Sequence, residues 1–101
     1  MIDLAPEHLD TIRAILAAHV PGIEVRAFGS RVEGTARAYS DLDILLVGER
    51  AVTDGVVEAL KDAFSASNLP MMVDVLDWHT VGESFRAVLE QREYLLIQES
   101  P

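Results

Sequence analysis

Apolar residues recur along this chain with the spacings of both helices and strands. Residues 7–19 and 54–66 place apolar side chains three or four positions apart, which predicts two amphipathic helices. Thr80 and Glu83 have the spacing of a capping box, which predicts a third helix at about 83–91. These helices are expected to cover a sheet built from the segments between them.

The segments between the helices have the composition of strands. Residues 23–28 alternate apolar and polar side chains, whereas 42–47, 71–76 and 94–97 are almost continuously apolar. A loop with a helical turn is expected at 30–40. The order of these elements predicts an α+β fold, in which a mixed β-sheet is flanked by helices.

Length and charge limit the classes of function. The 101 residues are expected to form one domain spanning 1–101, and half of them are apolar, which is enough for a hydrophobic core. The formal net charge of −9 disfavours direct binding of nucleic acid, because an acidic surface repels phosphates. No cysteine is present, which excludes a disulfide framework and a thiolate zinc site.

The chain contains no recognisable targeting or membrane segment. Its first residues lack the basic start and apolar run of a signal peptide. No stretch reaches the roughly 18 to 20 apolar residues that span a bilayer. A cytoplasmic protein that does not enter a membrane is therefore expected.

Three aspartates interrupt the apolar strand segments. Asp41 and Asp43 stand two positions apart, so they share one face of their strand, about 7 Å apart along the chain. Asp74 lies within 71–76, where the pattern favours a hydrophobic side chain. If the two strands pair, the three carboxylates converge, and such oxygen ligands suit Mg²⁺ or Mn²⁺. Three carboxylates can hold two ions about 4 Å apart for an in-line phosphoryl displacement, and Asp74 is the candidate for accepting the proton of the attacking hydroxyl.

The other residues around the third strand are predicted to have structural roles. Asp77 lies at the end of the strand, an odd number of positions after Asp74, so the two side chains point to opposite faces. Asp77 is therefore expected to cap the following turn. Met71 and Met72 are expected in the core. Trp78 is expected to pack against the core rather than to stack on a base.

A Gly29-Ser30 turn follows the first strand. Glycine lets the backbone approach a phosphate closely, and the Ser30 hydroxyl with the N–H groups after it can donate to triphosphate oxygens. No Gly-Lys-Ser/Thr sequence follows, so the turn is not a Walker P-loop. Arg31 and Arg37 are candidates for phosphate contacts or for docking a partner, because an acidic chain needs local cations to hold an anionic substrate.

These residues together form a motif. Gly29-Ser30, ten further residues and Asp41-Leu42-Asp43 give the pattern G-S-x10-D-x-D. The pattern resembles the signature of the DNA polymerase beta-like nucleotidyltransferase superfamily, and with Asp74 the resemblance covers nearly the whole chain. In size the chain is similar to the minimal nucleotidyltransferase (MNT) proteins, which carry no domain for binding a second substrate.

The resemblance implies a polymerase beta-like nucleotidyltransferase fold, with ATP as substrate and two Mg²⁺ ions as cofactors. The residues implied to bind the nucleotide are Gly29, Ser30 and Arg31. The residues implied to hold the metals and to act in catalysis are Asp41, Asp43 and Asp74. In MNT proteins the partner is often an all-helical HEPN-domain ribonuclease toxin. The resemblance therefore implies a hetero-oligomeric toxin–antitoxin pair, in which AMP is transferred from ATP to a tyrosine hydroxyl of the toxin.

Two other functions are open at this point. An antitoxin can neutralise its toxin by binding alone, without chemistry, although a pure binder has no reason to bring three carboxylates together. The chain can also be a nucleotidyltransferase subunit that acts on a small molecule and is completed by another protein. The intact Gly-Ser turn and the three acids favour the transfer of AMP over binding alone.

Overall fold

The computed structural model describes residues 2–37 and 40–101, and these ranges contain four helices and four strands. The helices are α1 (Pro6–His19), α2 (Ser30–Glu33), α3 (Asp54–Ser65) and α4 (Glu83–Gln91), and the strands are β1 (Glu24–Phe28), β2 (Leu42–Val47), β3 (Val73–Asp77) and β4 (Tyr94–Gln98). The predicted order of elements is confirmed. Part of the turn expected at 30–40 falls on residues 38 and 39, which lie outside the described residues. Within the described ranges, no helix is long and apolar enough to cross a bilayer.

The four strands form one mixed sheet in the order β3-β2-β1-β4. β1 pairs antiparallel with both β2 and β4, whereas β2 pairs parallel with β3. The parallel pair is joined by the crossover helix α3. Because of these directions, the end of β1 and the beginnings of β2, β3 and β4 lie at one end of the sheet, which we call the site end.

Hydrophobic side chains pack on both faces of the sheet. On the first face, α1 and α3 enclose the main core, which includes Ile12, Leu16, Val25, Ile44 and Leu60. On the second face, α4 brings Leu89 onto Phe28 and Leu45 to form a smaller cluster. The second face is only partly covered, since Tyr94 and Leu96 of the edge strand β4 remain 48% and 40% exposed.

The third strand begins two residues later than predicted, at Val73. Met71 is buried as expected, but Met72 is 73% exposed, so the prediction that it lies in the core is wrong. Side chains alternate along an extended segment, and burial of Met71 therefore turns Met72 outwards. The Met72 carbonyl still accepts a hydrogen bond from the N–H of Leu42 at 2.9 Å, which continues the pairing with β2.

The capping box predicted at Thr80 and Glu83 is also wrong. Gly82 is the N-cap residue of α4, and no side chain in the described part of the chain caps this end. The Thr80 hydroxyl instead donates to the carbonyl of Asp77 at 3.3 Å, within the turn that follows β3. The helix nevertheless begins at the predicted residue, Glu83.

Candidate active site

Four residues form one row across the second face, at the site end of the sheet. The register pairs Tyr94 with Phe28, Phe28 with Asp43, and Asp43 with Asp74. Two of the three predicted carboxylates therefore stand side by side on neighbouring strands, which lie about 4.8 Å apart. Asp41 is exposed immediately before β2 and adds a third acid at the same end.

The charges around Asp43 act on its carboxyl group. Burial raises the pKa of Asp43 above its ordinary value of 3.8, and the negative charges of Asp74 and Asp41 raise it further. The positive charge of Arg92 acts in the opposite direction. The ionised form of Asp43 is therefore disfavoured, and a cation bound beside it would stabilise that form.

Asp41, Asp43 and Asp74, which we call the acidic group, offer ligand atoms that suit a hard cation. All of its ligand atoms are carboxylate oxygens, which Mg²⁺ prefers. Among residues 2–37 and 40–101, no three His, Cys, Asp or Glu side chains are already arranged to hold a metal ion. Asp41 and Asp74 are exposed, so their side chains are able to turn towards Asp43 when a cation binds. The metal-binding role of the three aspartates stays a prediction. The pairing of β2 with β3, on which that prediction depends, is observed.

Gly29 connects β1 to α2 in a backbone conformation (φ 90°, ψ −159°) that is essentially restricted to glycine. A Cβ atom here would collide with Oδ2 of Asp43 and would lie 3.4 Å from its Cγ. Ser30 follows as the first residue of α2, where backbone N–H groups lack an acceptor inside the helix. The Gly-Ser turn therefore lies directly against the central carboxylate of the acidic group.

Arg31 is buried, with 6% of its surface exposed. Its Nε donates to the carbonyl of Ser40 at 2.8 Å, and its Nη1 donates to the carbonyl of Asp3 at 2.8 Å. The side chain thus ties α2 to the N-terminal segment and to the residue that precedes Asp41. These bonds give Arg31 a structural role, and its role in nucleotide binding stays a prediction.

Arg92 is a residue of this region that the sequence pattern does not single out. It follows α4, and its Nη2 donates to Oε2 of Glu33, the last residue of α2, at 2.9 Å. Its positive charge also lowers the pKa of Asp43. Arg92 and Glu33 are 59 residues apart, so only the tertiary structure brings this cation to the acidic group.

Asp77 has the structural role that its position at the end of β3 predicts. It is 7% exposed, and its Oδ1 accepts a hydrogen bond from the N–H of His79 at 2.9 Å. Its Oδ2 accepts from the N–H of Val52 at 2.8 Å, which fixes the segment that leads into α3. The prediction that Asp77 caps the turn after β3 is confirmed, and the residue lies on the opposite face from Asp74.

Comparison with known proteins identifies the family of this chain. Residues 9–97 match a family model described as "Nucleotidyltransferase domain". Over 98 residues, the chain is 44% identical to a Haemophilus influenzae protein described as "Probable protein adenylyltransferase MntA", and the match covers 97% of this chain and 85% of that protein.

Two solved structures have a similar fold. One is a crystal structure of a toxin–antitoxin with AMP-PNP, with a TM-score of 0.70 and 23% identity over 91% of this chain and 73% of the other. The second contains a tri-AMPylated Shewanella oneidensis HEPN toxin in complex with an MNT antitoxin, with a TM-score of 0.63 and 20% identity over 93% and 71%. The predicted α+β fold is confirmed.

Proposed function

Because this chain belongs to the nucleotidyltransferase domain family, we propose that it is a protein adenylyltransferase that transfers AMP from ATP to a tyrosine of a partner. The proposed partner is a HEPN-domain toxin, and the chain is the antitoxin of that pair. Similarity to an adenylyltransferase, and to a structure in which a HEPN toxin carries AMP, supports this assignment. The pair is a hetero-oligomer in the cytoplasm, where ATP is available, and this chain contributes one domain, 1–101.

The reaction forms one bond and breaks one bond at the α-phosphorus of ATP. The tyrosine hydroxyl oxygen bonds to the α-phosphorus, the bond from that phosphorus to the β-phosphate oxygen breaks, and pyrophosphate leaves. Asp74 accepts the hydroxyl proton, since it is exposed on an edge strand where a partner's side chain can reach it. Asp41, Asp43 and Asp74 would hold two Mg²⁺ ions, which supply positive charge to the phosphates and lower the pKa of the attacking hydroxyl.

The observation that carries the proposal is the contact between Gly29 and Asp43. A nucleotidyl transfer needs a group that binds the triphosphate within reach of the carboxylates that act at the α-phosphate. In this chain the Gly-Ser turn and the central carboxylate are in direct contact, because position 29 has no side chain. Ser30 and the start of α2 can then donate to phosphate oxygens.

Neutralisation of a toxin by binding alone does not require this arrangement. Raising the pKa of Asp43 by burial and by two neighbouring acids costs stability in the metal-free protein, and a surface that only binds gains nothing from it. Transfer to a small molecule needs the same residues. The 44% identity to a protein adenylyltransferase favours a protein acceptor.

The proposal is tested by incubating the chain with its HEPN partner, Mg²⁺ and ATP labelled at the α-phosphate. We expect label on a tyrosine of the partner, and loss of about 1,000-fold in rate for Asp41→Asn or Asp43→Asn. Asp62→Asn, on an exposed residue of α3, is the matched control and should transfer AMP normally. Full protection of cells by both inactive variants at normal expression would instead favour neutralisation by binding.

A further inference from the structure

Arg92 is a cation at the site end of the sheet that the proposed chemistry does not use. Its backbone is extended (φ −93°, ψ 146°), and its N–H donates to the carbonyl of Leu89 at 3.1 Å, where α4 ends. Side chains alternate along an extended segment, so Arg92 faces the same side as Tyr94, two residues later. Tyr94 belongs to the row that contains Asp43, and the fold therefore places Arg92 close to the acidic group.

Two carboxylates interact with the positive charge of Arg92. Its Nη2 donates to Oε2 of Glu33 at 2.9 Å. Burial raises the pKa of Asp43, and the charge of Arg92 acts in the opposite direction. Glu33 is the last residue of α2, the helix that begins at Ser30 directly after Gly29. Arg92 is thus held between the helix that follows the Gly-Ser turn and the central carboxylate of the acidic group.

The ion pair between Arg92 and Glu33 is exposed and therefore weak. Their side chains are 41% and 35% exposed, and ion pairs that water reaches contribute little to stability. The Arg92 guanidinium can consequently leave Glu33 for another anion while its backbone stays bound to α4. Arg31 differs, because it is buried and two of its nitrogens donate to backbone carbonyls. Of these two arginines, Arg92 is the one that can change partners.

The charge of Arg92 has opposite effects on the metal and on the nucleotide. A guanidinium close to Asp43 repels a divalent cation, so Arg92 weakens metal binding in the nucleotide-free protein. A triphosphate carries several negative charges, and guanidinium groups form strong, paired hydrogen bonds to phosphate oxygens. Once the phosphates lie against the Gly-Ser turn, the same positive charge therefore strengthens the binding of metal and nucleotide together.

We propose that Arg92 is an exchangeable counter-ion, which stays with Glu33 and Asp43 until ATP binds and then turns to the phosphates. Metal binding at the acidic group thereby depends on the nucleotide, and the two enter the site together. Glu33 holds Arg92 in place before the exchange and is released by it. The inference rests on the proposed nucleotidyl transfer and adds the residue that couples the metal to its substrate.

The test measures metal binding and nucleotide binding separately on the whole chain. Mn²⁺, which takes the same oxygen ligands as Mg²⁺, is titrated without nucleotide and followed by electron paramagnetic resonance. ATP is titrated in the presence of Mg²⁺ and followed by calorimetry. Arg92→Gln should bind Mn²⁺ about fivefold more tightly and ATP with Mg²⁺ about fivefold more weakly, which is the effect of one nearby charge in a solvated site.

Three further variants separate exchange from a structural role. Glu33→Gln should bind ATP with Mg²⁺ about twofold more tightly, because Arg92 no longer leaves an ion pair, and most of this gain should disappear in the Arg92→Gln background. Arg92→Lys keeps the charge and should stay within about twofold of wild type. Arg50→Gln removes the same charge from an exposed position after β2, at the other end of the sheet, and should change neither affinity.

Opposite changes in the two affinities of Arg92→Gln support the proposal. Weaker binding of both metal and nucleotide would show a structural role and overturn it, as would Mn²⁺ affinity that does not rise. A full Glu33→Gln effect in the Arg92→Gln background would refute the exchange between the two residues. The nucleotidyl transfer survives each of these results while the wild type binds ATP with Mg²⁺. If the wild type binds no ATP with Mg²⁺, the transfer and this inference fail together.

Discussion

The backbone of Gly29 lies directly against the carboxylate of Asp43. The two residues belong to neighbouring antiparallel strands or their ends, and Gly29 follows Phe28, the cross-strand partner of Asp43. The contact is possible because Gly29 has no Cβ atom and adopts a positive φ of 90°. One residue therefore determines both the turn towards α2 and the distance between the Gly-Ser turn and the acidic group.

Gly29→Ala should damage both folding and activity. The added Cβ meets Asp43 and forces position 29 out of a glycine-only conformation, which costs about 1–3 kcal/mol of unfolding free energy. A displacement of the Asp43 carboxylate by about 1 Å should lower the rate of AMP transfer about 100-fold. Chemical denaturation and single-turnover transfer measure the two effects.

Gly34→Ala is the control that separates strain from collision. Gly34 also has a positive φ, 83°, but a Cβ there would meet no atom within 4 Å. We expect a loss of about 1–2 kcal/mol from the backbone conformation and an unchanged transfer rate. Equal loss of activity in both variants would mean that the Gly29–Asp43 contact has no special importance.

Local patterns in the sequence predict much of the fold, and they predict the Gly-Ser turn and the aspartates of the candidate site. The strand at 42–47 is observed with the predicted bounds, because its residues are apolar except for Asp43 and Gly48 follows them, which is the pattern of a buried strand that ends at a turn. The sequence predicts that Asp43 and Asp74 are adjacent only if β2 and β3 pair with each other. These strands are separated by a helix in the chain and pair in parallel, so local patterns do not determine their pairing.

The rest of the site depends on contacts that sequence patterns do not encode. Arg92 reaches Glu33 through the placement of α4. The error at Met72 has a similar origin, because hydrophobicity alone does not tell which of two adjacent methionines faces the core. Non-local packing therefore decides which groups accompany the predicted carboxylates.

Asp43→Asn should stabilise the metal-free protein at neutral pH. Burial and the charges of Asp74 and Asp41 disfavour the ionised carboxylate, and an amide removes that repulsion. The melting temperature without metal should therefore rise relative to wild type, with Asp62→Asn as an unchanged control. Mg²⁺ with ATP should stabilise the wild type more than the variant, because only the wild type retains the full ligand set.

The pH dependence of this difference follows from the direction of the pKa shift. Because the folded-state pKa of Asp43 is raised, the destabilising effect is fully present above that pKa and disappears as the pH falls below the unfolded value of 3.8. The gain in melting temperature should be largest at neutral pH and vanish in acid. A gain that grows towards acid would contradict the assigned cause.

Asp74 and Asp77 should separate catalysis from stability, although they are three residues apart. Asp74→Ala changes an exposed side chain, so the unfolding free energy should move by no more than about 0.5 kcal/mol. The rate of AMP transfer should fall about 100- to 10,000-fold, because the proposed proton acceptor is lost. Denaturation and transfer assays on the same preparation test both statements.

Asp77→Ala should show the opposite behaviour. It leaves the N–H groups of Val52 and His79 without their carboxylate acceptor, which should cost about 3 kcal/mol. At a temperature where the variant is folded, its transfer rate should match that of the wild type. Loss of activity without loss of stability would give Asp77 a catalytic role and would contradict its assignment as the residue that caps the turn after β3.

Arg31→Lys tests whether the planar guanidinium is required to tie α2 to its neighbours. Lysine keeps the charge but cannot donate in two fixed directions to the carbonyls of Ser40 and Asp3, so we expect a loss of about 1–2 kcal/mol. Arg50→Lys, at an exposed position, should cost nothing measurable. The Kd for ATP is then measured where both variants are folded. A rise confined to Arg31→Lys would add the predicted nucleotide contact to its structural role, whereas an unchanged Kd would leave Arg31 with the structural role alone.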